Sequence, residues 1–217
     1  MIKSTSAKRS WRPFAGAAII ISIAAIAGQS VLASLNATAF NTTAQNINAG
    51  TLKLDLANSG NGFGASISNI VPGDVVNRYV TLTNSGTLNG IGLTLKTSQT
   101  GTASLITDGT GGVTTKALKL TVTSCSVAWN TSTGACTGTT ATELNSTVIG
   151  SLTSATPLTN GTMSSSAVKY LQMKIELPDQ NETTINGALP SNTVQGGAVD
   201  VTYTFDLAQR VATITNS

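Results

Sequence analysis

The chain has 217 residues, of which 10% are charged and 4% aromatic, with two cysteines, no histidine and a formal net charge of +3. An average globular protein is about a quarter charged, so this length and composition predict one extracellular domain with a polar but mostly uncharged surface. Because histidine is absent, Ser-His-Asp and Cys-His nucleophile pairs, histidine acid–base catalysis and histidine-containing zinc sites are excluded.

The N-terminus has the pattern of a secretory signal peptide. Residues 1–12 hold four basic residues and no acidic residue, and an almost purely apolar run follows at 14–27. We expect cleavage between Ala33 and Ser34, with cleavage after Ala39 as the alternative, because small residues precede both positions. An uncleaved membrane anchor is the competing interpretation, since the apolar run approaches the length of a membrane span.

Removal of residues 1–33 changes the charge of the chain. Eight basic residues then face nine acidic ones, a net charge of −1, and the basic residues are scattered. We therefore expect no nucleic-acid partner and membrane contact only before signal cleavage. The expected location is secreted, in the extracellular matrix or at the cell surface.

Residues 34–48 form an uncharged N-terminal extension. In an extended conformation, alternation places Leu35, Ala37 and Ala39 on one face and Phe40 on the other. Taken by itself, this segment forms the first strand of its own domain or is a disordered tail.

Residues 49–217 predict a single all-β domain. Short runs of alternating polar and apolar residues are separated by Gly, Asn, Ser and Pro, as in an antiparallel β-sandwich with jelly-roll-like connections. The Thr-, Ser- and Gly-rich stretches 97–115 and 137–166 are predicted to be surface loops. The predicted strands are 52–56, 75–83, 92–97, 117–124, 168–177 and 199–207, with weaker candidates at 63–70 and 148–152.

Pro72, Gly73 and Asp74 predict a stiff turn between strands. Proline fixes φ, glycine tolerates positive φ, and aspartate accepts backbone N–H groups. Calcium binding by Asp74 is the alternative, but calcium takes about six to eight oxygen ligands and no acid-rich loop surrounds this residue. We therefore expect no metal and no cofactor.

Cys125 and Cys136 flank a turn-rich stretch in a chain that we expect to leave the cytosol. This arrangement predicts one disulfide that closes a hairpin-like loop, with free buried thiols as the alternative. A catalytic thiol is not expected without histidine.

Three blocks of sequence, taken in order, resemble the TasA/camelysin family of secreted biofilm-matrix fibre proteins. The first is NINAGTLKLDL at 46–56, similar to the family's opening strand. The second is VPGD at 71–74 followed by RYVTLTNSGTL at 78–88, and the third is VTYTF at 201–205 with the Gln-Arg pair shortly after it. Together the blocks span almost the whole mature chain.

The resemblance implies a structural subunit of extracellular fibres. In this family a jelly-roll core polymerises when the N-terminal extension of one subunit completes the sheet of the next, which is donor-strand complementation by β-augmentation. Residues 34–48 would be the donor strand. The implied partners are further copies of the chain, the family's dedicated signal peptidase, and accessory proteins of the matrix or cell surface.

Two other classes of function are considered. Camelysin is named a metalloprotease, but the chain has no HExxH-type motif, so we expect no enzymatic activity. A cell-surface adhesin or carbohydrate-binding β-sandwich module is the alternative to the fibre subunit, with Trp129 as the candidate sugar platform. An LPxTG-like anchor is absent from residues 208–217, and the sequence leaves open whether an intramolecular Lys–Asn isopeptide bond forms.

Overall fold

The computed structural model describes residues 49–60, 62–63, 69–109 and 116–213. The predicted signal peptide, its cleavage between Ala33 and Ser34, and the donor segment 34–48 with Leu35, Ala37, Ala39 and Phe40 lie outside the described residues and stay predictions. Gly50–Ser217 form one compact unit. Within the described ranges, no helix has the length and apolarity needed to cross a membrane.

Eight strands and two short helices follow each other along the described chain. They are β1 (Leu54–Asn58), β2 (Val75–Asn84), β3 (Gly90–Gly101), α1 (Ala103–Ile106), β4 (Lys119–Cys125), β5 (Thr140–Val148), a 3-10 helix (Ile149–Ser151), β6 (Thr156–Pro157), β7 (Val168–Glu176) and β8 (Val199–Gln209).

The strands form two antiparallel sheets with different numbers of strands. The five-stranded sheet has the order β1-β2-β7-β4-β5, and the three-stranded sheet has the order β6-β3-β8. Every connection except β1–β2 and β4–β5 passes from one sheet to the other. The predicted all-β antiparallel sandwich is therefore confirmed.

A continuous apolar core lies between the sheets. From the five-stranded sheet, Leu82, Leu120 and Met173 are fully buried, and Leu93 and Leu95 of β3 meet them from the other sheet. These residues alternate with polar neighbours along their strands, which is the period of two that a half-buried sheet requires.

The prediction of a surface loop at 137–166 is wrong. This stretch contains β5, the 3-10 helix and β6, and it buries Leu144, Ile149 and Leu158 in the core. Threonine is β-branched and favours strands, so a Thr-rich stretch with widely spaced apolar residues can still form a sheet edge.

Two other predicted boundaries differ from the structure. The weak candidate strand at 148–152 is a 3-10 helix instead, with the Thr97 hydroxyl donating to the Ile149 carbonyl at 3.0 Å. The predicted loop at 97–115 begins five residues too early, because β3 continues to Gly101. The short helix α1 then buries Leu105 within the predicted loop. Most of the candidate strand at 63–70 lies outside the described residues.

Candidate functional site: an unpaired strand edge beside a cavity

Among the residues that the structure describes, strand β8 is hydrogen-bonded to another strand on one side only. Its residues Val199–Gln209 pair with Gly101–Gly90 of β3, and β6 lies on the far side of β3. Among the described residues, no strand pairs with the outer edge of β8. An unpaired edge of 11 residues is long, and soluble proteins usually protect such edges.

The hydrogen bonds at the two ends of β8 show which backbone groups face outward. The Ala198 carbonyl accepts from the Thr102 N–H at 2.8 Å, and the Arg210 N–H donates to the Asn89 carbonyl at 3.2 Å. Even-numbered residues therefore direct their backbone groups toward β3. Because successive residues of a strand alternate, odd-numbered residues direct their N–H and C=O groups to the outer edge.

The same odd-numbered residues carry the apolar side chains of β8. They pack against the core but are only half-buried. These residues are Val199, Val201, Tyr203, Phe205 and Leu207. The outer edge of β8 thus combines open hydrogen-bonding positions with apolar side chains that are incompletely covered.

Leu56 of β1 is a second apolar side chain that the facing sheet leaves incompletely covered. It pairs with Leu82 of β2 and so lies on the same, inner face of the five-stranded sheet. Leu82 is 0% exposed, whereas Leu56 is 45% exposed. The three-stranded sheet has too few strands to cover its partner here. We call the part of the sandwich formed by Leu56, Phe63, Val201 and Tyr203 the open side.

A cavity of about 680 Å³ lies between the sheets at the open side. Apolar side chains of β2, β7 and β8 line it, among them Val76, Ile175 and Val201. Phe63 stacks on Tyr203, with ring centroids 4.6 Å apart and an interplanar angle of 14°. This volume is within the range of protein ligand sites.

Arg78 is a basic residue of the cavity lining, to which Asp74 and Asp200 also belong. It pairs with Met173, which is fully buried, so it projects from the inner face of β2 and is only 8% exposed. Burial raises the pKa of the nearby Tyr203 hydroxyl to about 12, against the opposing effect of the Arg78 charge. Tyr203 therefore stays neutral at physiological pH.

Pro72, Gly73 and Asp74 lie in a tight turn at the entrance of β2. The Asp74 N–H donates to the Val71 carbonyl at 2.9 Å, and the Val71 N–H donates to Asp74 Oδ2 at 2.9 Å. Gly73 has φ of 96°, which an L-residue rarely adopts. The turn is held to the end of β7 by the Gly73 N–H, which donates to the Leu177 carbonyl at 2.7 Å.

Cys125 and Cys136 form the predicted disulfide. The loop that it closes covers the outer face of the five-stranded sheet, where the Trp129 ring lies 5.8 Å from that of Tyr79. Trp129 Nε1 donates to the Tyr170 carbonyl at 3.1 Å. Trp129 is thus part of a small cluster under the disulfide loop, with its single N–H donor already used. Sugar binding stays a prediction.

The residues of this chain do not fit a catalytic zinc ion. The whole sequence lacks histidine, and both cysteines are in the disulfide. In the part of the chain that the structure describes, no three His, Cys, Asp or Glu residues are grouped so that they could hold a metal. A catalytic zinc site normally has three protein ligands.

Fold and site define an antiparallel β-sandwich whose three-stranded sheet has an unpaired edge. The chain belongs to the camelysin metallo-endopeptidase family, whose model matches residues 15–213. The predicted membership of the TasA/camelysin family is thereby confirmed. Comparison with curated proteins gives no match. The family description names a peptidase, which the ligand residues of this chain do not explain.

Proposed function

We propose that the protein is a secreted structural subunit of extracellular fibres, and that the outer edge of β8 accepts residues 34–48 of a neighbouring copy. The observation that carries this proposal is the unpaired edge of β8 with half-buried apolar side chains beside the cavity. Membership of the camelysin family supports it.

The chemistry of segment 34–48 suits this edge. The segment has fifteen residues, none of them charged, and β8 has eleven. A strand added to an open edge gains main-chain hydrogen bonds, while alternate side chains fill pockets. Leu35, Ala37 and Ala39 would lie on the face that covers Val201 and Tyr203, and the segment itself would bring no charged side chain into the interface.

We propose further that the subunit has no peptidase activity of its own. The missing histidine and the scattered carboxylates leave no ligand set for a zinc-bound water. In this proposal the chain shares the β-sandwich fold with its family but has no catalytic site for peptide hydrolysis. Cleavage of casein by the purified chain after zinc addition, abolished by a chelator, would overturn it.

The first experiment compares the chain that begins at Ser34 with the chain that begins at Ala49. We expect fibres in electron micrographs of the first and a folded monomer for the second. A synthetic peptide of residues 34–48 should bind the shortened chain, and a scrambled peptide should not. Fibres from the shortened chain would refute the donor segment, whereas a permanent monomer of the longer chain would refute fibre formation.

The second experiment blocks the edge without removing the donor. The Val201 N–H points to the outer edge, so Val201→Pro removes a donor there and leaves the hydrogen bonds to β3 in place. We expect Val201→Pro to remain monomeric and Val201→Ala, which loses a similar side chain but keeps the N–H, to form fibres. Equal assembly of the two variants would place the acceptor elsewhere.

A further inference from the structure

A buried carboxyl group joins the two sheets on the side opposite to β8. Glu143 of β5 is 1% exposed. Its Oε1 accepts from Lys169 Nζ at 2.8 Å and from Asn160 Nδ2 at 3.3 Å, and its Oε2 accepts from the Asn160 backbone N–H at 2.8 Å. We call the part of the sandwich formed by Glu143, Asn160 and Lys169 the closed side.

The fold brings these three groups together from both sheets. Lys169 pairs with Leu82, whose side chain is in the core, so the lysine also projects between the sheets. Asn160 follows β6 of the three-stranded sheet, just after the buried Leu158. A side-chain amine and a side-chain amide thus meet at one carboxyl oxygen. The Glu143 carboxyl group is buried and the Lys169 side chain is 13% exposed, whereas Asn160 is exposed at the rim.

The charges of Glu143 and Lys169 at the closed side balance each other, but their burial is unfavourable because it removes them from water. Burial pushes the pKa of Glu143 upward, while hydrogen bonds from Lys169 and from the Asn160 backbone push it down, and the pKa lies below its usual value. The resting state is therefore an ion pair. Transfer of one proton from Lys169 to Glu143 removes both charges from the interior, where isolated charges are unfavourable, and leaves a neutral, nucleophilic amine.

We propose that Lys169 and Asn160 form an intramolecular isopeptide bond, with Glu143 as the proton-transfer group. The neutral Nζ attacks Cγ of Asn160 while protonated Glu143 donates a hydrogen bond to Oδ1. Glu143 then carries the proton released by Nζ to Nδ2. The Cγ–Nδ2 bond breaks, ammonia leaves, and an Nζ–Cγ amide remains. The reaction needs no oxidant, reductant or cofactor.

The product would be a covalent link between the two sheets. It would close a short loop over the buried Met163 and tie the segment after β6 to β7. Unlike the ion pair, this link survives denaturation, acid and salt.

Intact-mass measurement of the purified protein is the primary test. We expect a loss of about 17 Da, the mass of ammonia, in addition to about 2 Da for the disulfide. Asn160 precedes Gly161, and cyclisation of an Asn-Gly pair to a succinimide loses the same mass. The position of the new bond must therefore be mapped.

Cyanogen bromide cleavage of the reduced protein after Met163 and Met173 distinguishes the two products. An unlinked chain releases the ten-residue peptide Ser164–Met173, whereas the isopeptide holds this peptide on the preceding fragment through Lys169. Lys169→Arg keeps the ion pair and should restore both the full mass and the free peptide.

The contrary results are equally distinct. An unmodified mass of the native protein would overturn the proposal without recourse to any variant, and so would a loss of 17 Da that persists in Lys169→Arg. Glu143→Gln should lower the linked fraction at least tenfold, and complete linkage in that variant would overturn the role of Glu143.

Discussion

The two sides of the sandwich differ in what they leave unsatisfied. On the closed side, β5 and the segment after β6 are joined by the Thr159 N–H, which donates to the Glu143 carbonyl at 3.0 Å, and the buried charges there have partners. On the open side, apolar side chains stay half-buried beside a cavity, and the outer edge of β8 has no neighbouring strand among the described residues. The closed side therefore contributes to the stability of the monomer, whereas the open side has groups that a binding partner could cover.

The largest expected effect of a single change is on the closed side. Glu143→Ala leaves the Lys169 ammonium and the Asn160 N–H without their acceptor and removes the group on which the proposed Lys169–Asn160 bond depends. The free energy of unfolding should therefore fall by at least about 3–5 kcal/mol. Urea denaturation measures it. Glu176→Ala is the matched control, because it removes the carboxyl group of the Lys174–Glu176 ion pair, which is more exposed than the Lys169–Glu143 pair. This variant should lose less than about 1 kcal/mol of unfolding free energy. Similar losses for both variants would contradict the comparison.

An alkaline pH should lower the free energy of unfolding through Tyr203 of the open side. The pKa of Tyr203 is raised from 10.0 to about 12, so its hydroxyl ionises more readily in the unfolded chain. The stabilisation is complete below pH 10 and is lost as the pH rises toward 12, by up to about 2–3 kcal/mol. Denaturation at pH 9 and pH 11.5 measures the loss. Tyr203→Phe should lack most of this dependence, and an identical dependence would place the titrating group elsewhere.

The smallest expected effect concerns the exposed leucine of the open side. Leu56→Ala should cost less than about 1 kcal/mol in the monomer, because much of the side chain is already in water. Leu82→Ala, its neighbour on the same face, should cost about 2–5 kcal/mol. Chemical denaturation of the two variants compares them directly. Equal costs would mean that Leu56 is covered within the monomer.

How much of this could be predicted depends on whether a feature is local. The alternation from Val199 to Leu207 and the short separation of Cys125 and Cys136 are local features of the sequence. Strand β8 and the disulfide were therefore predictable. Strand β5 was not, because Ser and Thr suit strands and loops alike.

The two sites depend on pairing between distant strands. Sequence shows that β8 is amphipathic but not that it has one neighbour, since strand order is set by the tertiary fold. Likewise, Glu143, Asn160 and Lys169 are unremarkable as single residues. Their meeting requires the register that places Lys169 opposite Leu82 and the crossing of β6 to the other sheet.

The two edges of the three-stranded sheet are very unequal. One edge is β6, with only two residues and a proline that has no N–H to donate, and the other is β8, with eleven residues. Short strands and prolines are the means by which proteins block strand addition. If β8 accepts a donor strand, each subunit has one acceptor in this sheet and one donor segment, and the polymer is linear, polar and unbranched.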